Sequence, residues 1–205
     1  MIVTVSREYG AAGLGVSAAV ADRLGYRLVS RELPVVVAAR LGMPADVVET
    51  VSDRPRPFGE RVLEQLGGGV PETAQPGDSG EYDLVVETRR AIEVAVREIA
   101  AAGNAVINGR LAGAILGPRP DVVRVFVHAP LAWRTAHVAA SLDCSEAEAR
   151  AEIARIDEAR RTYAKEAYQI VWDDRRNYDL MVQTSRFGVD GSAAAIVAAV
   201  RALGG

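Results

Sequence analysis

The run Ile2-Val3-Thr4-Val5-Ser6-Arg7-Glu8-Tyr9-Gly10-Ala11-Ala12-Gly13-Leu14-Gly15-Val16-Ser17 decides the fold. A short β-branched stretch gives way to a glycine-bearing turn and then to the helical pattern of Ser17 to Leu24, which reads as strand, loop, helix. That order is the architecture of a phosphate cradle. From Gly10 the spacing is glycine, four residues, Gly15, then Val16 and Ser17, so the Gly-x-x-x-x-Gly-Lys-Ser/Thr pattern is met except at its lysine. Glycines let the backbone turn its N–H groups inward, and the following helix adds a partial positive charge, so such a loop can hold an anion without the lysine. Ser17 offers a hydroxyl for Mg²⁺. The missing cation must come from elsewhere, and Arg7 is the nearest local candidate. The alternative is a plain glycine turn that binds nothing.

At 205 residues the chain fits one domain with a full core. A 49% hydrophobic content with a net charge of −3 describes a soluble protein without the basic surface that a nucleic-acid duplex would require. Cys144 is the only cysteine and His128 and His137 the only histidines, which excludes an internal disulfide and argues against zinc. There is no basic leader, and no apolar run approaches the roughly 18 residues needed to span a bilayer. A cytoplasmic protein with no membrane partner is the expectation.

Further along, Tyr26 to Val29 reads as a strand and Arg31 to Leu41 as a helix whose first turn tolerates Pro34. Short helices are expected over Pro44 to Val51 and Gly59 to Leu66. Gly67 to Glu81 has little to bury and reads as a mobile loop, either a surface insertion or a flap beside a pocket. Tyr82 to Ala102 carries apolar residues at helical spacing up to Gly103. Ala105 to Ile107 and Val122 to Val127 read as strands, with a short helix from Leu111 to Leu116 between them. Helices over Leu131 to Leu142 and from the Ser145 cap onward, a strand over Tyr178 to Thr184 and a helix over Gly191 to Leu203 complete the chain. Alternating strands and helices predict a doubly wound parallel sheet of about five strands. Ligands sit at the carboxyl ends of such strands, so the glycine loop, Asn108-Gly109-Arg110 and Thr184-Ser185-Arg186 should converge on one cleft.

Arginines punctuate that edge. Arg110 follows a buried strand and a glycine, where its planar fork suits phosphate or a base edge. Arg134 and His137 share a helix face. Arg155, Arg160 and Arg161 cluster on a helix running into the less regular Tyr168 to Asn177. That cluster reads as a solvated face, or as a lid that closes over phosphates.

Ser6 to Gly10, Arg31-Glu32-Leu33, Asn108-Gly109-Arg110, Val125 to Leu131, Asp157 with Arg160 and Tyr163, and Tyr178-Asp179-Leu180 through Thr184-Ser185-Arg186 together resemble the cytidylate kinase-like family, relatives of the nucleoside monophosphate kinases. The likeness covers nearly the whole chain and is weakest from Leu41 to Leu84. It implies a P-loop kinase fold, three-layer α/β/α, with a five-stranded parallel sheet in the order 2-3-1-4-5, an acceptor region at about 30–90 and a helical lid at about 155–177. It implies ATP with Mg²⁺ on Gly10, Ala11, Ala12, Gly13, Leu14, Gly15, Val16 and Ser17, with Ser17 at the metal and Arg134 near the donor nucleotide. Arg110 corresponds to an arginine that contacts the acceptor nucleotide, with Arg31 and Asp157 as further acceptor-side candidates. Arg155, Arg160 and Arg161 of the lid, with Arg7, are the candidates for stabilising the transferred phosphoryl group. Cytidylate kinase itself has a lysine at Val16 and carboxylates at Asn108 and Leu111, and members of the group often carry an arginine near Leu14.

Two functions follow. One is a kinase that transfers the ATP γ-phosphate to a nucleoside monophosphate, CMP or dCMP by default, or to a non-nucleotide acceptor. The other is a protein, impaired in catalysis, that binds a nucleotide or another small phosphorylated ligand, or a protein partner. Either would act as a monomer or homodimer.

Overall fold

A computed structural model describes residues 1–30, 32–42 and 79–204. Its strands are β1 (Ile2–Arg7), β2 (Arg27–Val29), β3 (Ala105–Asn108), β4 (Val122–His128) and β5 (Leu180–Gln183). They form one sheet in the order β2-β3-β1-β4-β5, and every pairing is parallel. The expected order and strand number are met. Pairing Val5 with Asn108 and Arg7 with Val127 brings the carboxyl ends of β1, β3 and β4 to one edge.

Seven α-helices accompany the sheet among the described residues: α1 (Gly13–Leu24), α2 (Glu32–Leu41), α3 (Ser79–Ala102), α4 (Ala112–Leu116), α5 (Leu131–Leu142), α6 (Glu146–Tyr168) and α7 (Thr184–Ala202). Residue alternation along the strands sends side chains to opposite faces. Ile2, Ile107 and Val122 pack with Leu33, Ile92 and Val96 under α2 and α3. Val3, Val5, Val125 and Val127 pack with Val16, Val20 and Ile196 under α1 and α7. Both faces are therefore apolar and covered, as an all-parallel sheet requires.

Several boundaries differ from the sequence reading. Helix α1 starts at Gly13 rather than Ser17, because left-handed Ala12 (φ 55°) ends the loop there. Helix α7 starts at Thr184 rather than the expected Gly191, and breaks at Gly188 (φ 65°, ψ −177°). Helix α3 takes in residues 79–81, which were expected to close the mobile loop. The expected helices at 44–51 and 59–66 and the rest of that loop lie outside the described residues. Helix α6 is capped by Ser145, whose side chain accepts from the Glu148 N–H while Glu148 accepts from the Ser145 N–H.

Beyond α6 the chain returns to the body. Trp172 packs edge-on to Phe126 at 5.2 Å and Tyr178 tilts against the same ring at 4.9 Å, joining Leu111 and Ala164 in a separate cluster. The Tyr178 hydroxyl donates to the Trp172 carbonyl. The arginine-bearing segment is thus fastened to the strand edge as a closed cover.

Burial raises the Tyr178 phenol to about 12 and pushes those of Tyr163 and Tyr168 upward too. Above the ordinary phenol value of roughly 10 the unfolded chain loses these protons first, so stability present below pH 10 falls as the pH rises toward 12. Urea midpoints between pH 9 and 12 should show this fall, with a shallower slope in Tyr178→Phe. An equal slope in that variant would remove Tyr178 as a cause.

Candidate active site at the glycine loop

The loop is held by what a side chain would displace. Gly10 has φ +80°, and a Cβ there would lie 2.7 Å from Val138 Cγ2 and 3.1 Å from the Arg134 carbonyl oxygen. Only glycine lets α5 rest against the loop. Ala11 is fully buried, and its carbonyl accepts the Thr184 hydroxyl at 3.0 Å. This contact ties the loop to the end of β5, one of the predicted convergences.

The structure divides the eight cradle residues. Gly10, Ala12, Gly13, Leu14 and Gly15 line a cleft of about 620 Å³, faced by His137 and Val138 of α5. Ala11, Val16 and Ser17 do not. Val16 lies in the apolar core with no exposure, and its N–H donates to the Ala12 carbonyl. Ser17 is fully buried, its hydroxyl donating to the Gly13 carbonyl at 2.8 Å with Asn108 Oδ1 at 3.4 Å.

Arg134, expected near the donor nucleotide, and Asp157, an acceptor-side candidate, lie together beside the loop. Both are buried and paired, Arg134 Nη1 to Asp157 Oδ2, at 2.6 Å. The pair spans one peptide of the loop. Asp157 Oδ1 accepts the Tyr9 N–H at 2.8 Å, and Arg134 Nη1 donates to the Tyr9 carbonyl at 3.0 Å. Arg134 Nε donates to the Ala129 carbonyl at 3.0 Å and sits 3.2 Å from Glu8 Oε2, which accepts the Ala129 N–H. Their polar atoms face protein, because burial beside the loop makes them its scaffold.

Among the lid candidates, Arg160 alone lines the site. Its Nη1 donates to the Arg7 carbonyl at 2.9 Å and lies 3.7 Å from Asp157 Oδ1. Arg155 turns to Glu152, one helical turn back, at 2.5 Å. Arg161 is directed to Asp173 and Glu158, with its guanidinium 5.9 Å from the Trp172 ring centroid. Helical phase explains the difference, since adjacent residues on α6 point about 100° apart. Arg31 lies outside the described residues.

A second, narrower pocket of about 20 Å³ lies between the ends of β1 and β3 and the α6 cover. Arg7, Arg110 and Arg160 line it, with Tyr163, Trp172 and Leu111 as its apolar walls. Arg110 reaches it through an unusual turn: Gly109, Arg110 and Leu111 have consecutive φ values of 89°, 56° and 50°. Left-handed arginine and leucine cost free energy, and such strain concentrates where a side chain must be aimed. Arg7 and Arg160 border both cavities.

Sequence reasoning named Tyr163 only within the family resemblance, and did not find Trp172 or the Trp133–His137 stack, whose rings lie 5.2 Å apart and nearly parallel at 9°. Trp172 stands in irregular sequence with no periodicity to flag it. The spacing of Trp133 and His137, four residues on a helix, was the available signal for their stack.

The loop, its cleft and the arginines fit a nucleoside triphosphate. They fit Mg²⁺ less directly. Among the described residues no group of three or more His, Cys, Asp or Glu could hold a metal, and the Ser17 hydroxyl is turned inward. Mg²⁺ commonly keeps its waters and binds through substrate phosphates, which asks little of the protein.

A central parallel sheet in this order, a glycine loop from its first strand into a helix and an arginine-bearing cover define a P-loop kinase-type protein. A profile of the cytidylate kinase-like family matches residues 2–186, and the chain belongs to that family. It is 28% identical over 202 residues to the cytidylate kinase of Natronomonas pharaonis, covering 98% of this chain and 90% of that one. Over 97 residues it is 35% identical to the cytidylate kinase of Halobacterium salinarum, a match that spans 47% of this chain and half of that protein. Shikimate kinase from Acinetobacter baumannii, solved with shikimate, shares the fold with a TM-score of 0.53 at 12% identity, over 98% of this chain and 92% of that one. No described helix is long and apolar enough to cross a membrane.

Removing one partner of a buried ion pair strands the other charge, a loss of about 3–5 kcal/mol. Asp157→Ala should therefore lower the urea midpoint strongly. Asp157→Asn, which keeps an acceptor for the Tyr9 N–H, should lower it less. Equal midpoints for Asp157→Ala and the parent would show that the pair does not hold the loop.

Proposed function

We propose that the chain is a phosphotransferase that moves the γ-phosphate of MgATP to a nucleoside monophosphate. CMP and dCMP are the first acceptors to try, because the curated relatives bear the name cytidylate kinase. The observation that carries this reading is that Arg7 and Arg160 line both the cleft along the glycine loop and the pocket of about 20 Å³ beside Arg110, which has room for about one water and would have to widen for an acceptor. ATP phosphates lie along the loop in the larger cleft, and the acceptor phosphate enters beside Arg110. Phosphoryl transfer asks the protein mainly to position two phosphates in line and to neutralise charge spread over the oxygens between them. Guanidiniums fixed there do so without reorganising. Tyr163 and Trp172 help keep water from the reacting group. One such domain over residues 1–205, working in the cytoplasm, is part of the proposal.

A second reading is a nucleotide-binding protein that does not turn over. Core-facing Val16 favours it, since an apolar side chain replaces no phosphate-binding lysine.

The deciding assay measures ADP release from MgATP with each nucleoside monophosphate in turn. One acceptor should stimulate release, and Arg160→Ala should lower kcat by about a hundredfold or more, as loss of a charge-stabilising donor does. Arg110→Ala should raise the acceptor KM while leaving ATP affinity nearly unchanged. MgATP binding without release for any acceptor would replace this reading with the second one, and equal loss of both affinities in Arg110→Ala would end the two-site assignment.

A further inference from the structure

One arginine crowds two glycines of the site, Gly13 and Gly109, the second of which is also reserved for glycine by its φ of +89°. Arg7 ends β1 and its stem lies against Gly13, where a Cβ would stand 2.6 Å from Arg7 Cβ and 2.7 Å from Cγ. Its guanidinium lies over Gly109, where a Cβ would stand 2.1 Å from Nη1 and 3.0 Å from Cζ. Gly13 is the first residue of α1 and has no positive φ, so backbone conformation does not call for glycine there. The space taken by Arg7 does. The side chain thus runs from the end of β1, past the start of α1, to the end of β3, in a slot walled by backbone. Its root is fixed as well, because the Arg7 carbonyl accepts from Arg160 Nη1 at 2.9 Å.

We infer that Arg7, seated in the Gly13–Gly109 slot, is the built-in polyphosphate-binding cation of this loop and stands where other phosphate loops use a lysine. Position 16 cannot supply that charge without leaving the apolar core. A lysine is a point charge on a flexible stem, whereas a guanidinium presents a rigid planar fork that engages oxygens of two neighbouring phosphates. The slot orients this fork before the ligand arrives. Gly109 is then a positioning residue: it touches no phosphate and acts by leaving room for the guanidinium. The inference rests on the phosphotransferase reading only in taking the ligand of the loop to be a polyphosphate.

The test is calorimetric titration of MgATP and, separately, inorganic tripolyphosphate into the parent protein, Arg7→Ala, Arg7→Lys, Gly109→Ala and the Arg7→Ala/Gly109→Ala double variant. Thermal melts identify any variant that fails to fold. Arg7→Ala should bind both ligands about tenfold to a hundredfold more weakly, the range expected for losing hydrogen bonds to a charged group. Gly109→Ala should show a similar loss although its arginine is intact, because the new methyl displaces the flexible guanidinium more readily than the backbone. Arg7→Lys should restore part of the affinity. The double variant should bind no more weakly than Arg7→Ala alone.

Parent-like affinity in Gly109→Ala, or losses that add in the double variant, would overturn the slot. If Gly109→Ala does not fold, Arg7→Ala and Arg7→Lys carry the decision, and equal affinity in Arg7→Ala and the parent overturns the inference. Turnover with an acceptor together with unchanged Arg7→Ala affinity would sink this inference and leave the kinase reading standing. Arg7-dependent tripolyphosphate binding without turnover would do the reverse. A parent protein that binds neither ligand would end both.

Discussion

The buried ion pair between Arg134 and Asp157 is the interaction on which the rest of the site depends. It joins α5 to α6, and between them the two side chains hold both the N–H and the carbonyl of Tyr9 at the mouth of the glycine loop. Taking two charges out of water is expensive, and attraction offsets that only when the remaining donors and acceptors are also satisfied. Here they are met by Tyr9, Ala129 and Glu8. The result is a loop whose first residues are set by two helices, and a helix α6 whose Arg160 is set over the end of β1.

That framework changes what a phosphate loop without lysine means. In the lysine design a mobile ammonium follows the phosphates. In this chain the helix position is given to the core, where Val16 packs with Val3, Val5 and Val20. The arginines of this edge are instead fixed to the backbone: Arg7 laid over Gly109, Arg110 aimed by consecutive left-handed residues, and Arg160 tied to the Arg7 carbonyl. Such charges exchange adaptability for orientation, which is what the proposed transfer, carried by positioning and electrostatics, would need.

Local rules made much of this legible in the sequence. A β-branched run marked β1, apolar spacing marked α3, and Gly10, Gly109 and Arg110 were recognisable from the turns they occupy. Long-range burial was not legible. Arg134 and Asp157 lie 125 and 148 residues from Tyr9, and nothing local shows that their charges point into protein. Arg155, Arg160 and Arg161 look alike as a cluster, yet helical phase sends only Arg160 to the cleft. Trp172 closes the smaller pocket from an irregular stretch where no period could single it out.

The decisive measurement is a crystal structure with Mg²⁺ and an adenosine–cytidine pentaphosphate, in which five phosphates link the two nucleosides. The phosphate chain should leave the Gly10 to Gly15 loop, pass between Arg7 and Arg160, and end beside Arg110, with Arg134 and Asp157 still paired beneath Tyr9. Phosphates bound away from Arg7 and Arg160, or no bound analogue at saturating concentration, would contradict this assignment.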